Sequence, residues 1–309
     1  MEQQKPRRPK TLPTTKSSRA AAAGPVKTRA EAVHEWLAQI HAMLPPTEHR
    51  PVIGMVYDDE AKHVRWMLPD SLPTVEILQL TDVQFGHKCC QVRRVVEYRD
   101  WLLAAPNRFC VWTGDMVDLW TPASPGAPSD YTILPNERQL REFLKLMAPM
   151  RHRVLGYVGG NHERRIVPFF GDFGRLIAAA LQIPYSGGRQ HIDVYYGQHR
   201  PFRLSLWHGR GAARTKGTIA QTLARFIEQG DSQVYLMGHL HQPLILPVWK
   251  ERRKTRGLGM ELHKCIGAVG SSFLETYGSY AEVGGFSVSD VLMPRVVLEP
   301  NGKWEMTLR

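Results

Sequence analysis

Five short apolar runs, each followed by a cluster of acidic, amide or histidine side chains, constrain the fold of this chain most. The runs cover residues 75–80, 109–112, 154–158, 202–206 and 234–237. They are largely apolar and rich in β-branched residues, which indicates strands. Helical patterns at 92–104, 137–147, 166–181 and 218–228 alternate with them. Strands that alternate with helices predict an α/β fold.

The clusters that follow the runs share oxygen and imidazole donors. They are Asp82-Val83-Gln84, Gly114-Asp115-Met116-Val117-Asp118, Gly160-Asn161-His162-Glu163, Trp207-His208-Gly209 and Gly238-His239-Leu240-His241. Because α/β sheets bind ligands at the carboxyl ends of their strands, we expect these clusters to lie together. Carboxylate, amide and imidazole groups suit hard or borderline divalent cations. One His-x-His would be weak evidence, whereas five such clusters in succession predict a binuclear metal site.

In their order and residue types these clusters resemble the motifs of the calcineurin-like metallophosphoesterase superfamily: D-x-H, GD-x-x-D, GNH-D/E, an H-G pair and GH-x-H. The resemblance covers residues 75–245 directly. Gln84 departs from it, because the family usually has histidine there. Some members carry D-x-Q, including the manganese-dependent ADP-ribose/CDP-alcohol diphosphatase type. An amide oxygen is a harder ligand than imidazole. The resemblance therefore implies two divalent ions, with Mn²⁺ expected ahead of Fe, Zn or Mg.

The resemblance also implies a role for each matched residue. One ion would be held by Asp82, Gln84, Asp115 and His241. The other would be held by the bridging Asp115 with Asn161, His208 and His239. A metal-bridging hydroxide would attack phosphorus, assisted by His162 as a catalytic residue facing the substrate. Asp118 matches the position that orients this histidine; a helix cap is the alternative for an aspartate just after a strand.

Arginines next to the motifs are candidate substrate contacts. Arg164 follows the third motif and Arg210 follows the fourth, and a guanidinium suits phosphate. Simple surface solvation is the alternative for such side chains. Leu119 and Gly159 stand where protein Ser/Thr phosphatases of the superfamily carry arginines. Their presence argues against that branch.

The family's fold is an α/β four-layer αββα sandwich of two mixed β-sheets flanked by helices, and the resemblance implies it here. Three regions are predicted. Residues 1–27 form a basic disordered tail, 28–70 an N-terminal helix (28–44) with a short hairpin (53–67), and 71–309 the metallophosphoesterase domain. Later strands at 244–249, 262–269, 285–291 and 295–299 are expected in a second sheet.

The formal net charge of +11 is concentrated in two segments. Residues 1–30 contain eight basic and one acidic residue, and residues 250–256 contain five basic and one acidic residue. The rest of the chain sums to zero. A basic tail can bind nucleic acid electrostatically, or it can be a solvated leader, and the sequence leaves both open.

No apolar run approaches the roughly 20 residues needed to span a bilayer, and no secretory signal is visible. The cysteines at 89, 90, 110 and 265 show no C-x-x-C spacing. They indicate reduced thiols and a cytoplasmic protein. The sequence does not predict an oligomeric state.

Three functions remain open. The leading one is a metal-dependent phosphodiesterase or nuclease acting on nucleic acid, similar to exonuclease-type members of the superfamily; the stretch 269–280 is similar to phage and prophage members. The second is a small-nucleotide or phosphomonoester hydrolase, which Gln84 favours. The third is a metal-poor scaffold that binds nucleic acid through its tail.

Overall fold

The structure, a computed structural model, describes residues 29–43, 54–60, 62–122, 124, 126–197, 201–254 and 257–309. The predicted tail, residues 1–27, lies outside the described residues. The helices are α1 Arg29–Met43, α2 Val92–Leu103, α3 Asn136–Met147, α4 Asn161–Arg164, α5 Val167–Phe170, α6 Phe173–Leu181, α7 Lys216–Glu228 and α8 Tyr280–Val283. The strands are β1 Gly54–Asp58, β2 His63–Met67, β3 Val75–Leu80, β4 Arg108–Trp112, β5 Val154–Val158, β6 Tyr185–Ser186, β7 Arg189–Tyr195, β8 Phe202–Trp207, β9 Val234–Met237, β10 Leu244–Arg253, β11 Met260–Val269, β12 Pro294–Leu298 and β13 Trp304–Leu308. None of the described helices is both long and apolar enough to cross a membrane.

The strands form two mixed sheets. One has seven strands in the order β1-β2-β7-β8-β9-β11-β10, and the other has six in the order β13-β12-β3-β4-β5-β6. In the six-stranded sheet, β3 to β6 run parallel, and β12 and β13 pair antiparallel beside β3. In the other sheet, β8 is parallel to β9 and β9 to β11. Within each sheet, the strands that precede the predicted motifs are therefore parallel to one another.

Strand β4 shows why the run 109–112 lacks polar alternation. Phe109 and Val111 belong to the core cluster between the two sheets. Cys110 and Trp112 point the other way, into the cluster under the helices. Because side chains alternate across a strand, a strand buried on both faces needs apolar residues at every position. All four side chains are fully buried.

Helices cover the outer faces of both sheets. α2, α3 and α6 pack on the six-stranded sheet, where Leu102, Phe143 and Ile177 share a cluster with the strand residue Tyr157. α7 packs on the seven-stranded sheet through Leu223 and its neighbours. The order of layers is helix, sheet, sheet, helix. The four-layer αββα sandwich implied by the resemblance is confirmed.

The predicted N-terminal helix and hairpin are present as α1, β1 and β2. The hairpin forms the edge of the seven-stranded sheet, because β2 pairs in parallel with β7. Ile40 of α1 is 1% exposed and belongs to the same core cluster as α6. These elements are thus part of the sandwich.

Two of the later strands differ from expectation. The predicted strand at 295–299 is β12, and it lies in the six-stranded sheet beside β3. The predicted strand at 285–291 is wrong, because this segment is an irregular loop. Its Phe286 ring packs 4.8 Å from the ring of His241, and Gln242 donates to the Ser287 hydroxyl. Side-chain packing on the motif loops therefore replaces strand pairing.

Candidate metal centre

The loops after β3 and β4 run side by side beyond the sheet. The amide of Asp82 donates to the Gly114 carbonyl at 3.0 Å, and the amide of Gln84 donates to the Asp115 carbonyl at 3.0 Å. These bonds carry the parallel pairing past the strand ends. They place two carboxylates and one amide side chain on adjacent loops.

Unusual backbone conformations are concentrated in these loops. Among the described residues, seven that are not glycine have positive φ. Five of the seven are candidate ligands: Asp82, Gln84, Asp115, His239 and His241, with φ between 49° and 70°. Side chains other than glycine rarely adopt this conformation, and such strain collects at functional sites. The backbone is therefore bent to turn these side chains inward.

Asp115, His208 and His239 form the tightest group of candidate ligands. One ligand atom of each lies within 4.8 Å of those of the other two. Asp115 Oδ2 is 3.1 Å from His208 Nε2, which is 2.9 Å from Asn161 Oδ1. The structure thus brings together the four residues that the resemblance assigned to one ion.

The other predicted set lies beside it. His241 Nε2 is 3.2 Å from Asp82 Oδ1, and the amide of His239 donates to Asp82 Oδ2 at 2.9 Å. The Gln84 side chain is fully buried, and neither of its amide atoms has a hydrogen-bond partner among the described residues. A buried amide without a partner costs about 1–3 kcal/mol. A cation bound to the Gln84 oxygen would remove part of that cost, so the residues present fit a second ion.

Backbone carbonyls fix the orientation of two imidazoles. His208 Nδ1 lies 2.7 Å from the Thr113 carbonyl, and His239 Nε2 lies 2.8 Å from the Gly211 carbonyl. A carbonyl only accepts, so each of these ring nitrogens carries a proton and donates. The nitrogens left to bind a cation are Nε2 of His208 and Nδ1 of His239.

Charge pairing keeps the acidic ligand ionised. Burial opposes the charge on Asp115, yet His162 and His208 outweigh it and hold the pKa of this carboxyl well below its usual range. Burial likewise opposes protonation of His208, but Asp115 raises the pKa of that imidazole to about 9. The two residues form an ion pair, and a cation bound here would compete with the proton on His208.

His162 lies between the predicted ligands and Asp118. Its Nδ1 contacts Asp118 Oδ1, and its Nε2 is 3.6 Å from Asp115 Oδ2. Its backbone amide donates to Asp115 Oδ1 at 2.8 Å. The Arg165 guanidinium reaches the same Asp118 oxygen at 3.5 Å. The contact that the resemblance implied between His162 and Asp118 is present, and the catalytic roles stay predictions.

Glu163 belongs to the third motif, but the sequence assigned it no role. Its buried carboxylate accepts from the amides of Asp115 at 3.1 Å, Met116 at 2.6 Å and Gly160 at 2.9 Å. The Tyr157 hydroxyl donates to it at 3.1 Å. It ties the loop after β4 to the turn before α4. Its position in the first turn of a helix gave no sign of these contacts.

At two glycines of the motifs, neighbouring side chains leave no room for a Cβ atom. A Cβ on Gly160 would lie 2.0 Å from Asp115 Oδ1. A Cβ on Gly238 would lie 2.0 Å from Thr81 Oγ1 and 2.8 Å from Asp82 Oδ2. Neither distance is possible for a real methyl group. Glycine precedes Asn161 because a carboxylate occupies the space that any side chain would need, and it precedes His239 because a hydroxyl and a carboxylate do so.

A cleft of about 760 Å³ opens onto these groups. Its lining includes Asp115, Asn161, His162, His239 and His241, together with Gly126, Asp130, Arg165, Arg214 and residues of the segment 278–286. The wall around α8 is aromatic. The Tyr280 ring lies 6.0 Å from the His162 ring, and the Arg214 guanidinium lies 3.7 Å above the Phe286 ring. The sequence gave no signal for Tyr280 or Phe286, which follow β11 at a distance.

The two predicted substrate contacts lie elsewhere. Arg164 and Arg210 line a smaller recess of about 270 Å³, which shares Asn161 and His239 with the cleft. Both arginines are exposed. Their contact with substrate stays a prediction. Arg165 and Arg214 are the arginines of the cleft itself.

Comparisons with known proteins give a distant likeness. No family model matches the chain, and no curated protein matches its sequence. Among solved structures, a metallophosphoesterase from Sphaerobacter thermophilus is 14% identical, with 76% of this chain and 87% of that chain covered and a TM-score of 0.38. A protein serine/threonine phosphatase from Saccharomyces cerevisiae is 10% identical, with 90% and 87% covered and a TM-score of 0.39. The nuclease MPE of Pseudomonas putida is 14% identical, with 85% and 100% covered and a TM-score of 0.31. Likeness at this distance assigns no activity to the present chain.

Proposed function

We propose that this protein is a phosphoesterase that depends on two divalent cations, and that its substrate is a phosphodiester of nucleic acid. The observation that carries the proposal is the convergence of Asp115, His208 and His239 within 4.8 Å, beside the Asp82–His241 pair. The motif resemblance predicted these same residues as ligands. The mixed oxygen and nitrogen donor set suits Mn²⁺ first, with Fe, Zn or Mg as alternatives.

Two such cations, when bound, would neutralise charge on the phosphate and lower the pKa of a water molecule. The remaining steps belong to the protein. His162 lines the cleft, where its Nε2 can donate a proton to the leaving oxygen of the substrate. Asp118 at Nδ1 holds the ring in the orientation that this transfer needs. Asp118 is fully buried, so solvent does not compete for it.

Charge supports nucleic acid as the substrate. The segments 1–30 and 250–256 carry the whole formal net charge of +11. Arg165 and Arg214 add positive charge to the cleft, where phosphate would bind. A second candidate is a small nucleotide or a phosphomonoester, and Gln84 favours it through its likeness to the D-x-Q diphosphatases.

The test is manganese-dependent hydrolysis of bis(p-nitrophenyl) phosphate against p-nitrophenyl phosphate, with Asp115→Ala as the blank. A preference for the diester supports the proposal, and labelled DNA and RNA then identify the polymer. A preference for the monoester makes the small-substrate hydrolase the better account. Activity no higher than the blank on both compounds, with fewer than one bound ion per chain, would leave the metal-poor scaffold.

A further inference from the structure

A second recess shares the candidate ligands Asn161, His208 and His239 with the metal centre, but its arginines have no part in the proposed chemistry. We call it the basic recess. Its volume is about 270 Å³, and it is lined by Gly159, Gly160, Asn161, Arg164, Gly188, Trp207, His208, Gly209, Arg210, Gly211 and His239. Asn161 and His239 also line the cleft. A ligand at these two residues therefore has the cleft on one side and the basic recess on the other.

The two cavities differ in charge. The lining of the cleft mixes Arg165 and Arg214 with the carboxylates of Asp115, Asp130 and Glu282. The lining of the basic recess, over the residues that the structure describes, contains two arginines and no carboxylate. An anion in the basic recess would face two guanidinium groups and no carboxylate among these lining residues.

A third arginine lies behind the recess. The guanidinium of Arg189 stacks 4.9 Å from the ring of Trp207, which forms part of the lining. Burial, and then the nearby charge of Arg210, lower the pKa of Arg189. Because like charges are crowded here without a carboxylate among the lining residues, a bound anion would relieve their repulsion.

Glycines make the recess small and its backbone accessible. Five of the lining residues are glycine. A Cβ added at Gly188 or Gly211 would meet nothing within 4 Å, so these positions face open space rather than packed side chains. Walls of bare backbone between guanidinium groups suit a compact polar anion such as phosphate.

We propose that the basic recess binds a second phosphate of the substrate, adjacent to the one that is cleaved. The inference rests on the proposed function, and it narrows the substrate to esters whose scissile phosphate has a neighbouring phosphate. Oligonucleotides and pyrophosphate-linked nucleotides share this chemistry. The nucleoside on the other side of the scissile bond would occupy the cleft.

The experiment compares kcat/KM, with manganese, for the dinucleotide TpT, for TpT with a phosphate at its 5′ or 3′ end, and for a pyrophosphate-linked dithymidine. We expect one neighbouring phosphate to raise kcat/KM about tenfold in the wild-type protein, as for charge-assisted contacts. The double variant Arg164→Gln/Arg210→Gln should reduce this advantage to less than about threefold. The control Arg93→Gln/Arg138→Gln, at two exposed positions on α2 and α3, removes the same net charge and should keep the advantage.

The outcomes separate the inference from the proposed function. A higher kcat/KM for the end-phosphorylated dinucleotide alone identifies the substrate as an oligonucleotide. A higher kcat/KM for the pyrophosphate ester alone identifies it as a nucleoside diphosphate derivative. Loss of either advantage in the double variant supports phosphate binding in the basic recess. Equal kcat/KM for all three substrates, or an advantage that survives in the double variant, would overturn the inference alone. No metal-dependent hydrolysis of any of them would overturn the proposed function and the inference with it. Both substituted arginines are exposed, and circular dichroism with metal content checks that the variant is folded.

Discussion

The two sheets contribute different atoms to the same centre. The six-stranded sheet supplies the candidate oxygen ligands, and the seven-stranded sheet supplies the candidate imidazole ligands. The oxygen half comprises Asp82, Gln84, Asp115 and Asn161, which follow β3, β4 and β5. The imidazole half comprises His208, His239 and His241, which follow β8 and β9. The comparison shows that neither sheet carries a complete set of ligands.

The two halves are also held differently. The oxygen half is fixed by bonds within its own sheet, through the paired loops after β3 and β4 and through Glu163. The imidazole half depends partly on the other sheet, because His208 donates to the Thr113 carbonyl and the amide of His239 donates to Asp82. The centre therefore exists only when the sheets are packed, and metal binding should stabilise that packing.

Removing the charge of Asp115, which joins the oxygen half to the imidazole half, should have the largest effect on hydrolysis. Asp115 contacts both His208 and His162, and its substitution by asparagine leaves the imidazoles without their carboxylate. We expect Asp115→Asn to abolish manganese-dependent hydrolysis of bis(p-nitrophenyl) phosphate. Asp100→Asn, at an exposed position, is the matched control and should retain full activity. Hydrolysis above about a tenth of the wild-type rate in Asp115→Asn would contradict the bridging role.

Removing His162 tests whether catalysis can be separated from metal binding. His162→Ala should lower kcat by about 10²–10⁴, the usual contribution of general acid–base catalysis. Both halves of the centre stay intact, so bound manganese per chain should not change. Elemental analysis beside steady-state kinetics measures both. Loss of metal in this variant would show that His162 is a ligand.

Glu163 tests how the oxygen half is positioned. A glutamine at this place keeps one acceptor oxygen, so at least one of the three backbone amides loses its partner. We expect Glu163→Gln to weaken manganese binding about 10- to 100-fold and to reduce the free energy of unfolding by about 1–3 kcal/mol. Glu142→Gln, exposed on α3, should change neither quantity. Titration calorimetry and urea unfolding provide the two measurements; unchanged manganese affinity would refute the positioning role.

Gly160→Ala tests the close approach without changing charge. The new methyl group overlaps Asp115 Oδ1, so we expect a loss of about 1–3 kcal/mol in unfolding free energy and weaker metal binding. Gly217→Ala provides the contrast, because it lies in α7 and its Cβ meets nothing within 4 Å. That substitution should stabilise the protein by about 0.5–1 kcal/mol. Equal unfolding midpoints for the two variants would argue against the steric account.

Gln84→His sharpens the comparison by moving one imidazole into the oxygen half. If Gln84 is a ligand, histidine at this position should raise the metal affinity of the site formed with Asp82 and His241 by about tenfold. It should also shift the preference of that site toward zinc. Competition between manganese and zinc at equilibrium measures the shift. The same affinities in both proteins would mean that residue 84 does not ligate.

Local sequence was enough to predict which strand end carries each candidate ligand. Each candidate ligand follows a largely apolar strand, so its place at a strand end could be inferred before the fold was known. The four-layer architecture followed from the motif resemblance, since alternation of strands and helices indicates only an α/β fold. The predicted helix 28–44 and hairpin 53–67 were found as α1, β1 and β2.

The remaining features depend on contacts between distant parts of the chain. Glu163 binds amides up to 48 residues away, and no local pattern marks that role. Tyr280 and Phe286 reach His162 and His241 across the cleft. The segment 285–291 alternates like a strand, yet the packing of Phe286 against His241 outweighs that local pattern. Such tertiary contacts override propensity, and a single sequence does not reveal them.

The most direct test of the account is the number of manganese ions bound per chain, measured by calorimetric titration and by the electron paramagnetic resonance spectrum of the loaded protein. The account predicts two ions per chain with spectra that show spin coupling between them, and at most one uncoupled ion in Asp115→Asn. Fewer than one bound ion per wild-type chain would contradict a binuclear centre. Two ions without coupling would contradict the bridging position of Asp115.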